Sequence, residues 1–246
     1  MENKFKMPTE IVELPSQGLV YSELSPLSSG KIEMKYMTAR EEDILTNQNY
    51  ISKGTVLDEL VKSLIVSDVD YGDLIVGDKN AVLVAARILG YGKDYTFTWG
   101  GETQEVDLTT IENKPLDIKV FKKGQNEFNF TLPHSGIPIT FKLLTHGDEK
   151  AIDRETEGLK KINKDESRES TTRLKYTITS INGSREQKDI RGFVDQALLA
   201  RDARVLREYI NKINPDVELK FKYTDTEGRE EVVDLPIGLN FFWPDA

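Results

Sequence analysis

The sequence predicts an α+β fold built from two diverged copies of a strand–helix–helix–hairpin unit, and three observations lead there. Short motifs recur in the same order along the 246 residues. Each series opens on alternating apolar residues, the period of a half-buried strand, and then changes to helical spacing. Each closes on two β-rich runs around a turn, the pattern of a hairpin.

The recurrences are specific. Leu14-Pro15-Ser16-Gln17-Gly18 returns as Leu132-Pro133-His134-Ser135-Gly136, and the block from Ile32 to Leu45 returns from Ile139 to Ile152. Within that block Ile32, Lys35, Thr38 and Glu42 meet Ile139, Lys142, Thr145 and Glu149. Asp78 meets Asp202, Phe97 meets Phe221, and Val106-Asp107-Leu108 meets Val233-Asp234-Leu235. The separations are 118, 107, 124 and 127 positions in turn. The first change points to about 11 extra residues in copy one, at the Ser/Pro/Gly-rich stretch Ser22 to Gly30. The second points to about 17 extra in copy two, expected as a charged insertion near 154–170. The expected division is therefore residues 1–112 and residues 113–246.

In copy one a Leu-Pro-x-x-Gly turn leads to a strand through Ile32, Met34 and Tyr36. Thr38 followed three residues later by Glu41 has capping-box spacing. A helix over Thr55 to Val66 would bury Val56, Leu57, Leu60, Val61 and Leu64 on one face. A second over Asn80 to Leu89 would end at Gly90-Tyr91-Gly92, and a hairpin over Tyr95 to Leu108 would turn at Gly100-Gly101. Asp117 to Leu132 reads as a further hairpin turning at Lys123-Gly124. Copy two then repeats the order: a strand at Ile139 to Leu143, Thr145 with Asp148, and a helix over Thr171 to Ile181. A helix over Asp189 to Ile213 would break near Arg201 and stop at Asn214-Pro215. The last hairpin would span Val217 to Leu235 around Glu227-Gly228.

Composition narrows the function. With no cysteine there is no disulfide frame, thiolate zinc site or thiol catalysis, and the chain fits a reducing cytoplasm. A net charge of −9 argues against nucleic acid or an anionic membrane as the main partner. No apolar run follows Met1-Glu2-Asn3-Lys4, so no signal peptide is expected, and the longest apolar stretch, Ala81 to Ala86, is too short to cross a bilayer. The charge is uneven. Residues 1–112 hold 19 acidic and 10 basic residues, whereas residues 113–246 hold 23 of each. Copy one would therefore present the acidic surface, suited to steering a basic partner.

No catalytic constellation stands out. His134 and His146 read as loop residues without convergent acids. Gly77-Asp78-Lys79 and Gly90-x-Gly92 match no phosphate or dinucleotide loop, and the latter ends a helix where a phosphate cradle would begin one. Glu41-Glu42-Asp43 and Glu230-Glu231 read as solvated faces, and Lys160-Lys161 with Lys164 is balanced by Asp165 and Glu166. No cofactor, metal or small-molecule ligand is expected. The candidate partner-binding residues are Phe241, Phe242, Trp243 and Pro244, in an aromatic C-terminal tail. That tail either folds back onto the core of copy two or anchors a partner.

LPSQG, MTAREEDIL, the Gly-Asp-x-Asn helix before YGxxY, LPHSGIPITFKLLTHGDE and the terminal PIGLNFFWPD together resemble the T4-type bacteriophage baseplate protein family over about residues 8 to 246. The most similar members serve as baseplate hub subunits or hub assembly proteins of myophages. The resemblance implies a non-enzymatic structural or assembly protein of a contractile tail. It would be assembled in the host cytoplasm, reside in the virion baseplate and partner other hub proteins. It also implies that the closing hairpins are zinc-ribbon-like modules without metal, since Cys-x-x-Cys pairs of relatives are absent from Thr98 to Glu102 and Tyr223 to Gly228. The alternative is a tail-associated enzyme such as a peptidoglycan hydrolase. A generic adaptor outside viruses is a third reading.

Overall fold

The computed structural model describes residues 7–162, 168–224 and 229–242. It is an α+β fold of short antiparallel sheets and helices. Strand β1 (Thr9–Glu13) pairs with β2 (Lys31–Lys35), with Ile11 opposite Glu33. Helices α1 (Ala39–Leu45), α2 (Gln48–Ser52), α3 (Val56–Leu64) and α4 (Val76–Tyr91) follow. Strands β3 (Asp94–Trp99) and β4 (Glu102–Asp107) form a hairpin. Gly100 and Gly101 both have positive φ, the requirement of a two-residue hairpin turn that follows the twist of its strands.

The second half begins with β5 (Phe128–Thr131), which pairs with β6 (Pro138–Phe141). Then come α5 (His146–Ile162), α6 (Glu169–Thr177), β7 (Ile178–Ile181), α7 (Gln187–Gln196) and α8 (Ala200–Ile213). Strands β8 (Lys220–Thr224) and β9 (Glu230–Asp234) pair antiparallel, and one helical turn, Leu239–Phe242, ends the described chain. β7 joins the other edge of β6 to give a three-stranded sheet.

Four expectations need correction. Asp117 to Leu132 is not a hairpin: Ile118–Val120 is a single helical turn, and β5 pairs forward with β6. The helix expected to reach Ile181 ends at Thr177, because Ile178–Ile181 is taken into the sheet beside β6. The charged stretch from Arg154 is not a loop as far as Ile162, where it continues α5 around the buried side chain of Thr156. The rest of that segment lies partly outside the described residues. Finally, α4 begins at Val76, earlier than Asn80, whereas the helix of residues 189–213 breaks at residues 197–199, just before Arg201, as expected.

One hydrophobic core runs through both halves, from Leu14, Ile32, Leu60 and Val82 to Phe141, Ile190, Leu206 and Phe242. The halves also interlock by backbone. Ile75 bridges Thr145, Val76 N–H donates to Leu144 C=O, and His146 N–H donates to Leu74 C=O. Asn113 bridges Val217, and Lys114 N–H donates to Asp216 C=O. The two closing hairpins touch through Phe97 and Phe221, rings 4.8 Å apart and edge to face. Gly77 has no room for a side chain, since a Cβ there would lie 1.8 Å from the Pro215 carbonyl oxygen.

Candidate functional site

Two features gather ionisable groups away from the ordinary surface. The first is a buried carboxylate. Asp78, third residue of α4, is fully enclosed and accepts from Ser16 N–H at 2.9 Å, Ser16 Oγ at 2.6 Å and the Tyr21 hydroxyl at 2.5 Å. Burial pushes its pKa up, while the Ser16 and Tyr21 hydrogen bonds oppose the shift. Burial also raises the Tyr21 hydroxyl, and the negative charge of Asp78 adds to that shift. Every Asp78 oxygen is thus occupied by the chain itself. The group ties the Leu14-to-Gly18 turn to the start of α4, where the helix dipole favours negative charge.

The second is a groove of about 790 Å³ between α3, the beginning of α4 and the length of α5. From α5 it takes His146, Lys150, Asp153, Arg154, Glu157 and Lys160, spaced so that they share a face. Asp58 and Leu57 come from α3, Lys79 and Leu83 from α4, and Lys53 from the turn before α3. Asp58 and His146 are far apart in sequence, and the α3–α5 packing brings them together. His146 Nε2 lies 2.9 Å from Asp58 Oδ1, and Lys150 Nζ lies 2.6 Å from Asp58 Oδ2. The imidazole rests on the Tyr71 ring at 4.6 Å between centroids.

Burial alone would raise the Asp58 pKa, but contact with His146 and Lys150 outweighs it and holds the carboxyl at about 2. The His146 Nε2–Asp58 Oδ1 contact is within hydrogen-bond distance though poorly aligned, and Nδ1 lacks an aligned partner among the described residues. The buried Thr156 hydroxyl, also on the groove wall, lacks one too. His146 therefore departs from its expected place: it is the first residue of α5, 6% exposed, with a carboxylate beside it. His134 stays exposed in its turn.

Elsewhere the ionisable groups hold elements together. Glu149 takes both guanidinium nitrogens of Arg173. Glu155 takes Arg191 at 2.7 and 2.8 Å and the Tyr176 hydroxyl at 3.0 Å. Glu127 takes Arg185 twice at 2.8 Å. In each of the last two pairs the arginine holds the carboxyl below its usual range. A smaller cavity of about 260 Å³ borders Leu143, Leu174, Ile210 and Arg207, but its Arg173 is already committed to Glu149. Of the acidic runs, Glu42 and Asp43 are exposed as expected, whereas Glu41 is buried at the start of α1.

The candidate partner-binding residues divide. Phe241 and Phe242 are fully buried, with Phe241 edge-on to Tyr95 at 4.8 Å and to Phe242 at 5.4 Å. The buried Arg87 guanidinium donates from Nε to the Phe241 carbonyl at 2.8 Å and clamps this segment. These two side chains belong to the core and offer no surface to a partner. Trp243 and Pro244 lie outside the described residues.

Among the described residues, no group of three or more His, Asp or Glu side chains is placed to hold a metal ion, and no helix is long and apolar enough to cross a membrane. No family model, curated protein or solved structure matches the chain.

Proposed function

We propose that the chain is a non-enzymatic structural or assembly protein of the baseplate hub of a contractile phage tail, acting by protein–protein contacts. Its partners are other hub proteins, and its place is the virion baseplate after assembly in the host cytoplasm. The phage assignment rests on the sequence resemblance. The non-enzymatic part rests on one observation: the perturbed carboxylates of the interior and of the groove wall are spent on internal contacts. Asp78 is closed in by Ser16 and Tyr21, Glu41 by Lys35 and Thr38, and Asp58 by His146 and Lys150.

A peptidoglycan hydrolase of the glycosidase type would need a carboxylic acid held protonated beside an open cleft. Asp58, the groove carboxylate with a clear shift, moves the other way. Affinity capture of the tagged chain from infected cells, with quantitation of co-purifying proteins, tests the proposal. Enrichment of tail proteins supports it. Their absence overturns it, as does an activity lost through a single carboxylate substitution that leaves fold and assembly intact. Mass spectrometry of mature virions then separates a resident subunit, present at defined copy number, from an assembly chaperone, which is absent.

A further inference from the structure

We propose that the outer edge of β1 pairs with β1 of a second copy of this chain, antiparallel about Ile11. The β1–β2 sheets of two molecules then join as one continuous sheet. This self-association does not depend on the hub assignment.

The backbone supplies the free edge. Tyr36 N–H donates to Pro8 C=O and Leu14 N–H donates to Gly30 C=O, so the even-numbered positions of this segment carry the ladder to β2. The N–H and C=O groups of Thr9, Ile11 and Glu13 point the other way, and none has a hydrogen-bond partner among the described residues. All three residues are exposed, and Ile11, an apolar side chain, is 58% exposed. Such an edge is a template for another strand unless lysine, proline or a bulge blunts it. Thr9 to Glu13 contains neither residue and pairs with β2 in unbroken register.

Self-complementarity selects the occupant. Pairing about Ile11 sets Ile11 on its own counterpart, Thr9 on Glu13 and Glu10 on Val12, so no two carboxylates stand directly opposite. The two exposed Ile11 side chains then cover each other. The other edges do not offer this. Pairing β4 about Glu105 or β8 about Lys222 sets like charges opposite, and pairing β9 about Val232 sets Glu230 on Asp234. Arg87 already takes Asp94 C=O on the edge of β3, and Ser184 bridges β7 at Ile181. β5 turns only Asn129 and Thr131 outward, neither of them apolar. Charge sets the salt dependence. Residues 1–112 hold 19 acidic and 10 basic residues, so two such halves repel as they approach, and salt should strengthen the dimer.

Single cysteines test the register, because the chain has none of its own. In this pairing the two Ile11 Cα atoms lie about 5.5 Å apart, within reach of a disulfide, whereas Thr9 lies about 14 Å from its own counterpart. Mild oxidation of purified full-length I11C should give a covalent dimer. T9C and E13C should each remain single chains when oxidised alone and form mixed dimers when combined. Light scattering on the wild type should show a mass that rises with concentration towards twice that of one chain. The rise should be steeper at about 0.5 M sodium chloride than at low salt. I11K should keep the mass of one chain, with circular dichroism verifying its fold. If I11K does not fold, the cysteine series decides. Equal crosslinking of all three single variants overturns the proposal. So does a wild-type mass independent of concentration, a dimer lost on adding salt, or a folded I11K that still dimerises.

Discussion

Replacing Asp58 with asparagine removes one negative charge from a site built around it while nearly preserving shape. In the folded chain the carboxyl sits at about 2 against an ordinary 3.8, and its side chain is only 13% exposed, so solvent screens the pairing weakly. Linkage converts that difference to about 2 kcal/mol of folding stability at neutral pH. The sign follows from the direction of the shift. A depressed carboxyl stabilises the folded state above its unfolded pKa, and the contribution fades as pH falls through the folded value. Wild type should therefore exceed Asp58→Asn by about 2 kcal/mol near pH 6, and the gap should hold to about pH 4 and close towards pH 2. Urea unfolding followed by far-UV circular dichroism at each pH measures the gap, and taking the difference cancels the titration of carboxylates common to both proteins. Near neutral pH the same loss should lower the Tm by about 4–8 °C for a chain of this length. A gap that stayed constant down to the lowest pH at which wild type folds would mean that shape, not charge, is lost. No gap near neutral pH would refute the His146–Asp58–Lys150 pairing itself.

Three further outcomes follow from single positions. Gly77→Ala should cost about 3 kcal/mol or more by thermal unfolding, since its Cβ meets the Pro215 carbonyl oxygen at 1.8 Å, whereas Gly158→Ala in α5, with open space around it, should be neutral or stabilise by about 1 kcal/mol. Arg87→Lys should cost about 2–4 kcal/mol in denaturant unfolding, because one ammonium cannot reproduce the guanidinium's bonds to the carbonyls of Phe241, Gly92 and Asp94. Phe242→Ala should cost about 3–5 kcal/mol as a core cavity. A chain ending at Phe242 should keep its fold by circular dichroism, and if Trp243 and Pro244 form the anchor it loses captured tail proteins.

What could be read from the sequence was what neighbouring residues determine. Thr38 and Glu41 form their cap, with the glutamate accepting from both the backbone and hydroxyl of Thr38, and Gly100-Gly101 turns its hairpin. The apolar face of α3 is buried at Val56, Leu60, Val61 and Leu64. The failures share a cause. Phe128 to Thr131 was joined to a nearby turn because a strand does not announce its partner, and Ile178 to Ile181 continued a helical pattern until β6 claimed it. The charge-rich stretch after Arg154 resembles a loop because α5 buries only Thr156 there, as far as Ile162. The groove was illegible for a stronger reason. His146 carried no acid at local spacing, and Asp58 was one polar position on an amphipathic helix until packing set them 2.9 Å apart.

The two halves share one device more faithfully than they share core side chains. Glu41 in α1 and Asp148 in α5 are third residues of their helices, and each accepts from the backbone of the threonine before it and from a lysine at or just past the end of the preceding strand, Lys35 or Lys142. Asp78 in α4 and Asp202 in α8 are third residues too. Each reaches back to a Leu-Pro turn, at Ser16 N–H over 2.9 Å and at His134 N–H over 2.8 Å. The bridge of Met34 to Ile65 has its match in Phe141 and Ile178. Convergence would have to place four carboxylates at the same helical position with the same backbone targets, so we propose common descent of the halves. The bridge pairs also redistribute the extra length. Separation grows from 107 to 113 positions by Ile178, and only then to 124 at Asp202. Most of the added chain therefore lies in β7 and α7 and not in the charged segment after Arg154. Such an addition attaches at the edge of β6, while the carboxylate contacts on either side keep their helices in place.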